Sequence, residues 1–97
     1  MKAYEVMLLT DPSLDEEAQA ALVQRATGII TDQGGTVDAT DDWGKRKLAY
    51  EVRGLADGHY TVVQFHATPE VVAELDRVLH ITDQVARFMI VRRDDLK

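Results

Sequence analysis

The residues able to do chemistry are few and scattered. The densest basic run is Lys45–Arg46–Lys47, and Arg87, Arg92 and Arg93 follow later in the chain. Lysine and arginine bring charge and N–H donors to phosphate oxygens, so this set points to phosphate contact. In a strand, Lys45 and Lys47 share one side and Arg46 takes the other. The run therefore makes no single flat stripe, and it also reads as a charged strand edge that blocks aggregation. His59, His66 and His80 do not form a metal set. The first two are an odd number of residues apart and point to opposite faces of one strand, His80 ends a helix, and no carboxylate spacing completes a ligand triad. Ser13 is the sole serine and is expected to cap a helix. No glycine-rich phosphate loop is present. Trp43, beside Gly44, suits either stacking on a base or packing against a bent strand. These residues predict no catalytic set, no metal and no cofactor.

The chain that must position these groups has 97 residues, 45% of them hydrophobic, and predicts a single domain over 1–97. It has no cysteine, which excludes a disulfide framework and a thiolate metal site and agrees with a cytoplasmic setting. Met1 to Thr10 alternates charged and apolar residues and does not read as a signal peptide. No stretch approaches the roughly 20 apolar residues of a membrane helix. The net charge of −6 argues against coating nucleic acid by bulk attraction. Acidic residues gather at Asp15–Glu16–Glu17 and from Asp38 to Asp42, leaving the basic groups as local patches. Such a protein can grip phosphates through a small site while a partner supplies more charge.

Periodicity places the elements. Residues 2–10 read as a strand that is apolar on both faces, which suits a central position. Ser13 with Glu16 predicts a capping box. Leu14, Ala18, Ala21, Leu22, Ala26, Ile29 and Ile30 then give a helix one apolar face, and Gly34–Gly35 ends it. Residues 36–52 predict one long bent strand, bulged at Gly44. Residues 53–58 predict a hairpin loop and residues 59–67 a third strand. Thr68–Pro69 starts a second helix buried through Val71, Val72, Leu75, Val78 and Leu79, and Val85 to Arg92 is the last strand. The order β-α-β-β-α-β predicts a ferredoxin-like α+β fold. Its four-stranded antiparallel sheet has the first and third strands central and both helices on one face.

Sheet parity then predicts an interface. With Val6, Leu8, Thr61, Val63, Phe65, Phe88 and Ile90 toward the helices, the open face shows Met7, Leu9, Tyr60, Val62, Met89 and Val91. A contiguous apolar patch of that kind marks a binding site, here expected for a protein partner.

The segment Trp43-Gly44-Lys45-Arg46-Lys47-Leu48-Ala49-Tyr50-Glu51-Val52 resembles the signature of the bacterial small-subunit ribosomal protein six family. The resemblance covers nearly the whole chain. Tyr4-Glu5-Val6 is similar to the family's opening strand, and Pro12 follows at the expected distance. Gly58 with Tyr60 is similar to the start of its third strand, and Arg87, Met89, Val91 and Arg92 to its last. The resemblance implies a non-catalytic protein of the 30S subunit, bound to 16S ribosomal RNA together with small-subunit ribosomal protein eighteen. That partner is basic, which would account for the acidic balance here. It also implies RNA or partner contacts at Lys2, Tyr4, Lys45, Arg46, Lys47, Arg87 and Arg92. The free chain is expected to be a monomer in the cytoplasm, away from membranes.

Two other classes share the topology, and a third, a small-molecule regulatory domain, would need an obvious homodimer interface. An RNA recognition motif needs aromatics along its third strand to stack bases, and only Tyr60 is an outward aromatic there. A small ferredoxin-like monooxygenase or isomerase would need a deep cavity lined by His59 or His66.

Overall fold

The structure, a computed structural model, describes residues 1–52 and 54–93. Its elements are β1 (Lys2–Thr10), α1 (Glu16–Asp32), β2 (Thr36–Val52), β3 (Leu55–Ala67), α2 (Pro69–His80) and β4 (Val85–Arg92). The strands form one antiparallel sheet in the order β2-β3-β1-β4, with β1 and β3 central as the element order predicts.

Alternation along β1 and β3 explains why both helices lie on one face. Val6, Leu8, Val63 and Phe65 share a face and pack with Ala26 and Ile30 of α1 and with Val71, Leu75 and Leu79 of α2. Phe65, Leu8, Ile30, Leu75, Val6, Val63 and Val71 are fully buried. Each such side chain contributes about 1.5–3 kcal/mol relative to an exposed one. Tyr4 stacks on Phe65 at the margin of this core, with ring centroids 5.7 Å apart.

The start of α1 differs from the expected capping box. Asp15, not Ser13, is the N-cap, and its carboxylate accepts from the Ala18 N–H at 2.8 Å. Ser13 instead donates its backbone N–H and its hydroxyl to Asp11 Oδ1, at 2.9 and 2.8 Å. These bonds hold the Asp11 carboxyl below its ordinary range. The buried face also differs: Ala21 is exposed and Gln19 is buried. Gln19 accepts from the Thr10 hydroxyl at 2.6 Å and donates to the Asp11 carbonyl at 2.9 Å, tying the end of β1 to α1. At the second helix, Thr68 is the cap residue and Pro69 comes first, but the Thr68 side chain makes no cap hydrogen bond.

The long second strand is bulged where glycine announces it. Its register with β3 slips between Asp42 and Gly44, with Gly44 at φ 75°, and again between Val37 and Ala39. The loop expected at residues 53–58 is mostly strand, since β3 begins at Leu55 and pairs it with Val52. Arg53 lies outside the described residues.

The end of α1 is a Schellman turn. Gly35 donates to the Ile30 carbonyl at 2.8 Å and Gly34, at φ 87°, to Thr31 at 3.1 Å. A methyl group on Gly35 would lie 2.7 Å from Ile30 Cγ2 and 2.9 Å from the His66 carbonyl, whereas one on Gly28 would meet nothing within 4 Å. Gly35→Ala should therefore destabilise the chain by about 1–3 kcal/mol. Gly28→Ala in the helix interior should stabilise it by up to about 1 kcal/mol. Urea midpoints of the two variants should move in opposite directions.

Candidate RNA and partner interface

The helix-free face begins with side chains that alternation sends away from the core. Cross-strand partners share a face. The register Met7↔Val62, Met7↔Met89, Leu9↔Tyr60, Leu9↔Arg87 and Glu5↔Val91 therefore places Met7, Leu9, Tyr60, Val62, Arg87, Met89 and Val91 together on it. They are not equally open. Met89 and Val91 are 49% and 44% exposed, Met7 and Tyr60 are half-buried, and Leu9 and Val62 are buried at 3% and 2%. The expectation of a patch that includes Leu9 and Val62 is corrected accordingly.

The cover over Leu9 comes from the β2–β3 hairpin, whose far end bends across the open face. Leu9 occupies the space where Gly58 has no side chain: a Cβ there would stand 2.0 Å from Leu9 Cδ1 and 3.7 Å from Leu48. Tyr50 reaches across the open face toward the β4 edge, where its hydroxyl accepts from Arg87 at 2.8 Å. Between hairpin and sheet runs a groove of about 210 Å³. Met7, Leu9, Leu48, Tyr60 and Met89 line it, with Tyr50 and Arg87 at its rim. Leu48 and Tyr50 belong to this surface and were not among the residues picked out from sequence. Both stand in the signature segment quoted above, and the glycine pair Gly44 and Gly58 permits the bend and the close crossing that bring them here.

The seven expected RNA contacts do not converge. Arg46 pairs with Gly58 on the open side, while Lys45 and Lys47 pair with His59 and Asp57 on the helix side of the same edge strand. All three are exposed. Arg87 lies on the open face, and Arg92, opposite Tyr4, on the other side of β4. Lys2 is exposed at the start of β1, on the helix side beside Tyr4. The ring of Tyr4 is engaged with Phe65, so this residue is less available than expected. Arg93 donates to Glu5 Oε1 at 3.3 Å. The set thus forms three patches: the β2 edge, the Arg87 rim, and the Lys2–Tyr4–Arg92 corner.

The histidines are engaged in pairs. His59 meets Asp42 at 2.6 Å, His66 meets Asp38 at 2.5 Å, and His80 meets Asp76 at 2.7 Å. His59 lines an open groove of about 450 Å³ beside Leu14, Gln19 and Val23. Among the described residues no three His, Asp or Glu side chains gather to hold a metal ion, and no helix is long and apolar enough to cross a membrane.

Comparison with known proteins decides what kind of molecule carries this surface. Residues 3–92 match the model of one family, described as Ribosomal protein S6. The chain belongs to that family. It is 49% identical over 94 residues to small ribosomal subunit protein bS6 of Clostridium perfringens (strain SM101 / Type A), covering 97% of this chain and 99% of the relative. It is 47% identical over 95 residues to the protein of that name from Moorella thermoacetica, covering 98% and 97%. Among solved structures, 30S ribosomal protein S6 of Thermotoga maritima superimposes with a TM-score of 0.93 at 33% identity, covering 98% of this chain and 90% of that one. The C-terminal domain of MgtC from Mycobacterium tuberculosis, at TM-score 0.58 and 15% identity, shares the fold alone. The ribosomal S6 family is one of structural proteins of the small ribosomal subunit, not of enzymes.

The bond between Tyr50 and Arg87 is one tie holding the hairpin over the open face. Both side chains are exposed, so its loss should cost no more than about 1 kcal/mol in global stability. Tyr50→Phe should leave the unfolding midpoint nearly unchanged and broaden or shift the NMR methyl signals of Leu48 and Leu9. Unaltered methyl spectra would show that apolar packing alone holds the hairpin.

Proposed function

We propose that this chain binds 16S ribosomal RNA in the small subunit jointly with a basic protein partner, small-subunit ribosomal protein eighteen. It is monomeric in the bacterial cytoplasm until that partner joins. The observation that carries this reading is the pair Met89 and Val91, large apolar side chains left about half exposed on the helix-free face of a chain of net charge −6. Exposed apolar surface of this kind fits a docking site, and the net charge favours a basic occupant. Lys45, Arg46, Lys47 and Arg87 then contact the phosphate backbone of folded RNA. They are of the right chemical type, and all four sit exposed on edge strands, three on β2 and Arg87 on β4. Lys2 and Arg92 form a second, smaller phosphate-binding corner.

A charge placed in the apolar contact tests the partner half of this reading. Met89→Asp or Val91→Asp should weaken partner binding by about 1–3 kcal/mol through lost burial and desolvation. Folding should be spared, because neither side chain lies in the core. Normal binding by both variants, measured by calorimetry, would remove the open face from the interface.

The RNA half is tested by salt. Phosphate contacts release counterions, so affinity falls as salt rises. Replacing Lys45 and Arg46 by alanine should lower the affinity of the partner-loaded complex and flatten its log–log salt slope by roughly one or two units. An unchanged slope would reduce the run to a solvated strand edge.

A further inference from the structure

The two edges of the sheet are built differently. β2 carries two interruptions of its register with β3 before the hairpin end, at Val37/Ala39 and Asp42/Gly44. Its exposed charges fall in two blocks, acidic at Asp38, Asp41 and Asp42 and basic at Lys45, Arg46 and Lys47. Bulges and charges of this sort keep another strand from pairing. β4 has neither Pro nor Gly in Val85–Arg92, and it pairs with β1 without a slip from Tyr4↔Arg92 to Leu9↔Arg87. Its single irregularity lies at the first residue, opposite Thr10. No strand lies beyond it among the described residues.

The phase of the ladder fixes which backbone groups look outward. The Arg93 N–H donates to the Ala3 carbonyl at 2.7 Å. Antiparallel pairing alternates by residue, so Val91, Met89 and Arg87 turn their backbone groups toward β1, and Phe88 and Ile90 turn theirs away from the sheet. Both flanks of this edge are recessed. On the open side, the groove under Tyr50 ends at Arg87 and Met89. On the helix side, a groove of about 420 Å³ runs between α2 and β4, lined by Asp76, Leu79, His80, Phe88 and Ile90.

An outward-facing ladder between two side-chain recesses is the arrangement that strand addition uses: backbone bonds give affinity, and alternate side chains fill the flanking recesses. Building on the partner reading above, we propose that an extended segment of the basic partner adds to β4 as a fifth strand, hydrogen-bonded to Phe88 and Ile90. One set of its side chains is apolar and covers Met89 and Val91. The alternate set enters the helix-side groove, where a lysine or arginine meets the exposed carboxylate of Asp76. A second copy of this chain is the poorer occupant, because each copy carries a net charge of −6 and the two repel.

Amide hydrogen exchange followed by NMR reads this directly, on the chain alone and with small-subunit ribosomal protein eighteen plus a 16S central-domain fragment. The Phe88 and Ile90 amides should exchange readily in the free chain and slow by about tenfold or more in the complex. Met89, already bonded to β1, should change little. Unchanged rates at Phe88 and Ile90 in a complex whose formation is shown by co-elution would overturn the fifth strand and leave side-chain docking on the open face intact. Absence of any co-eluting complex would overturn both. Slowing that appears in the chain alone as its concentration rises would assign the edge to a second copy and overturn the proposal.

Discussion

The first strand is apolar on both faces, and two helices can cover only one of them. Val6 and Leu8 are buried beneath α1 and α2, while Met7 and Leu9 are turned to the other side of the sheet. Water contact with this second apolar face is unfavourable by roughly 25 cal/mol per Å², so the fold must cover it or keep it for a partner. The structure does some of each. The far end of the β2–β3 hairpin bends over the sheet and buries Leu9 against Gly58 and Leu48. What the hairpin does not reach, chiefly Met89 and Val91 near the β4 edge, stays open.

That division organises the charged groups as well. The bend lets Tyr50 accept a hydrogen bond from Arg87 on the opposite edge strand, β4, so one of the basic residues is oriented by the element that closes the groove. On β2, each half of the strand before the hairpin carries a carboxylate paired with a histidine of β3, Asp38 with His66 and Asp42 with His59. These pairs sit at the register slips and help hold the strand against β3 where the regular ladder is interrupted. They give His59 and His66 a positioning role in the sheet.

Much of the fold was legible because alternation and helical spacing are local. The two-sided first strand, the glycine bulge at Gly44 and the central places of β1 and β3 all follow from short stretches of sequence. The misreadings arose where two local solutions compete. Ser13-x-x-Glu16 and Asp15-x-x-Ala18 both offer a cap, and Asp11 settles the matter by engaging Ser13. Asp57-Gly58 looks like a turn, yet Gly58 sits inside a strand because Leu9 needs its vacant side-chain space. Strand curvature leaves no period of its own, so burial of Leu9 and the arrival of Tyr50 and Leu48 at the open face could not be read from alternation. The scatter of the basic residues, by contrast, follows from alternation. Arg87 and Arg92 are five residues apart, and an odd separation in a strand sends them to opposite faces.

Under the proposed function, an acidic chain with three separated basic patches should bind RNA poorly by itself and well beside a basic partner. The most direct measurement is the equilibrium affinity for a 16S central-domain fragment at one fixed salt concentration, with and without small-subunit ribosomal protein eighteen. The proposed function predicts weak or undetectable binding by the chain alone and strong binding once the partner is present. Equal affinity in the two conditions would contradict it.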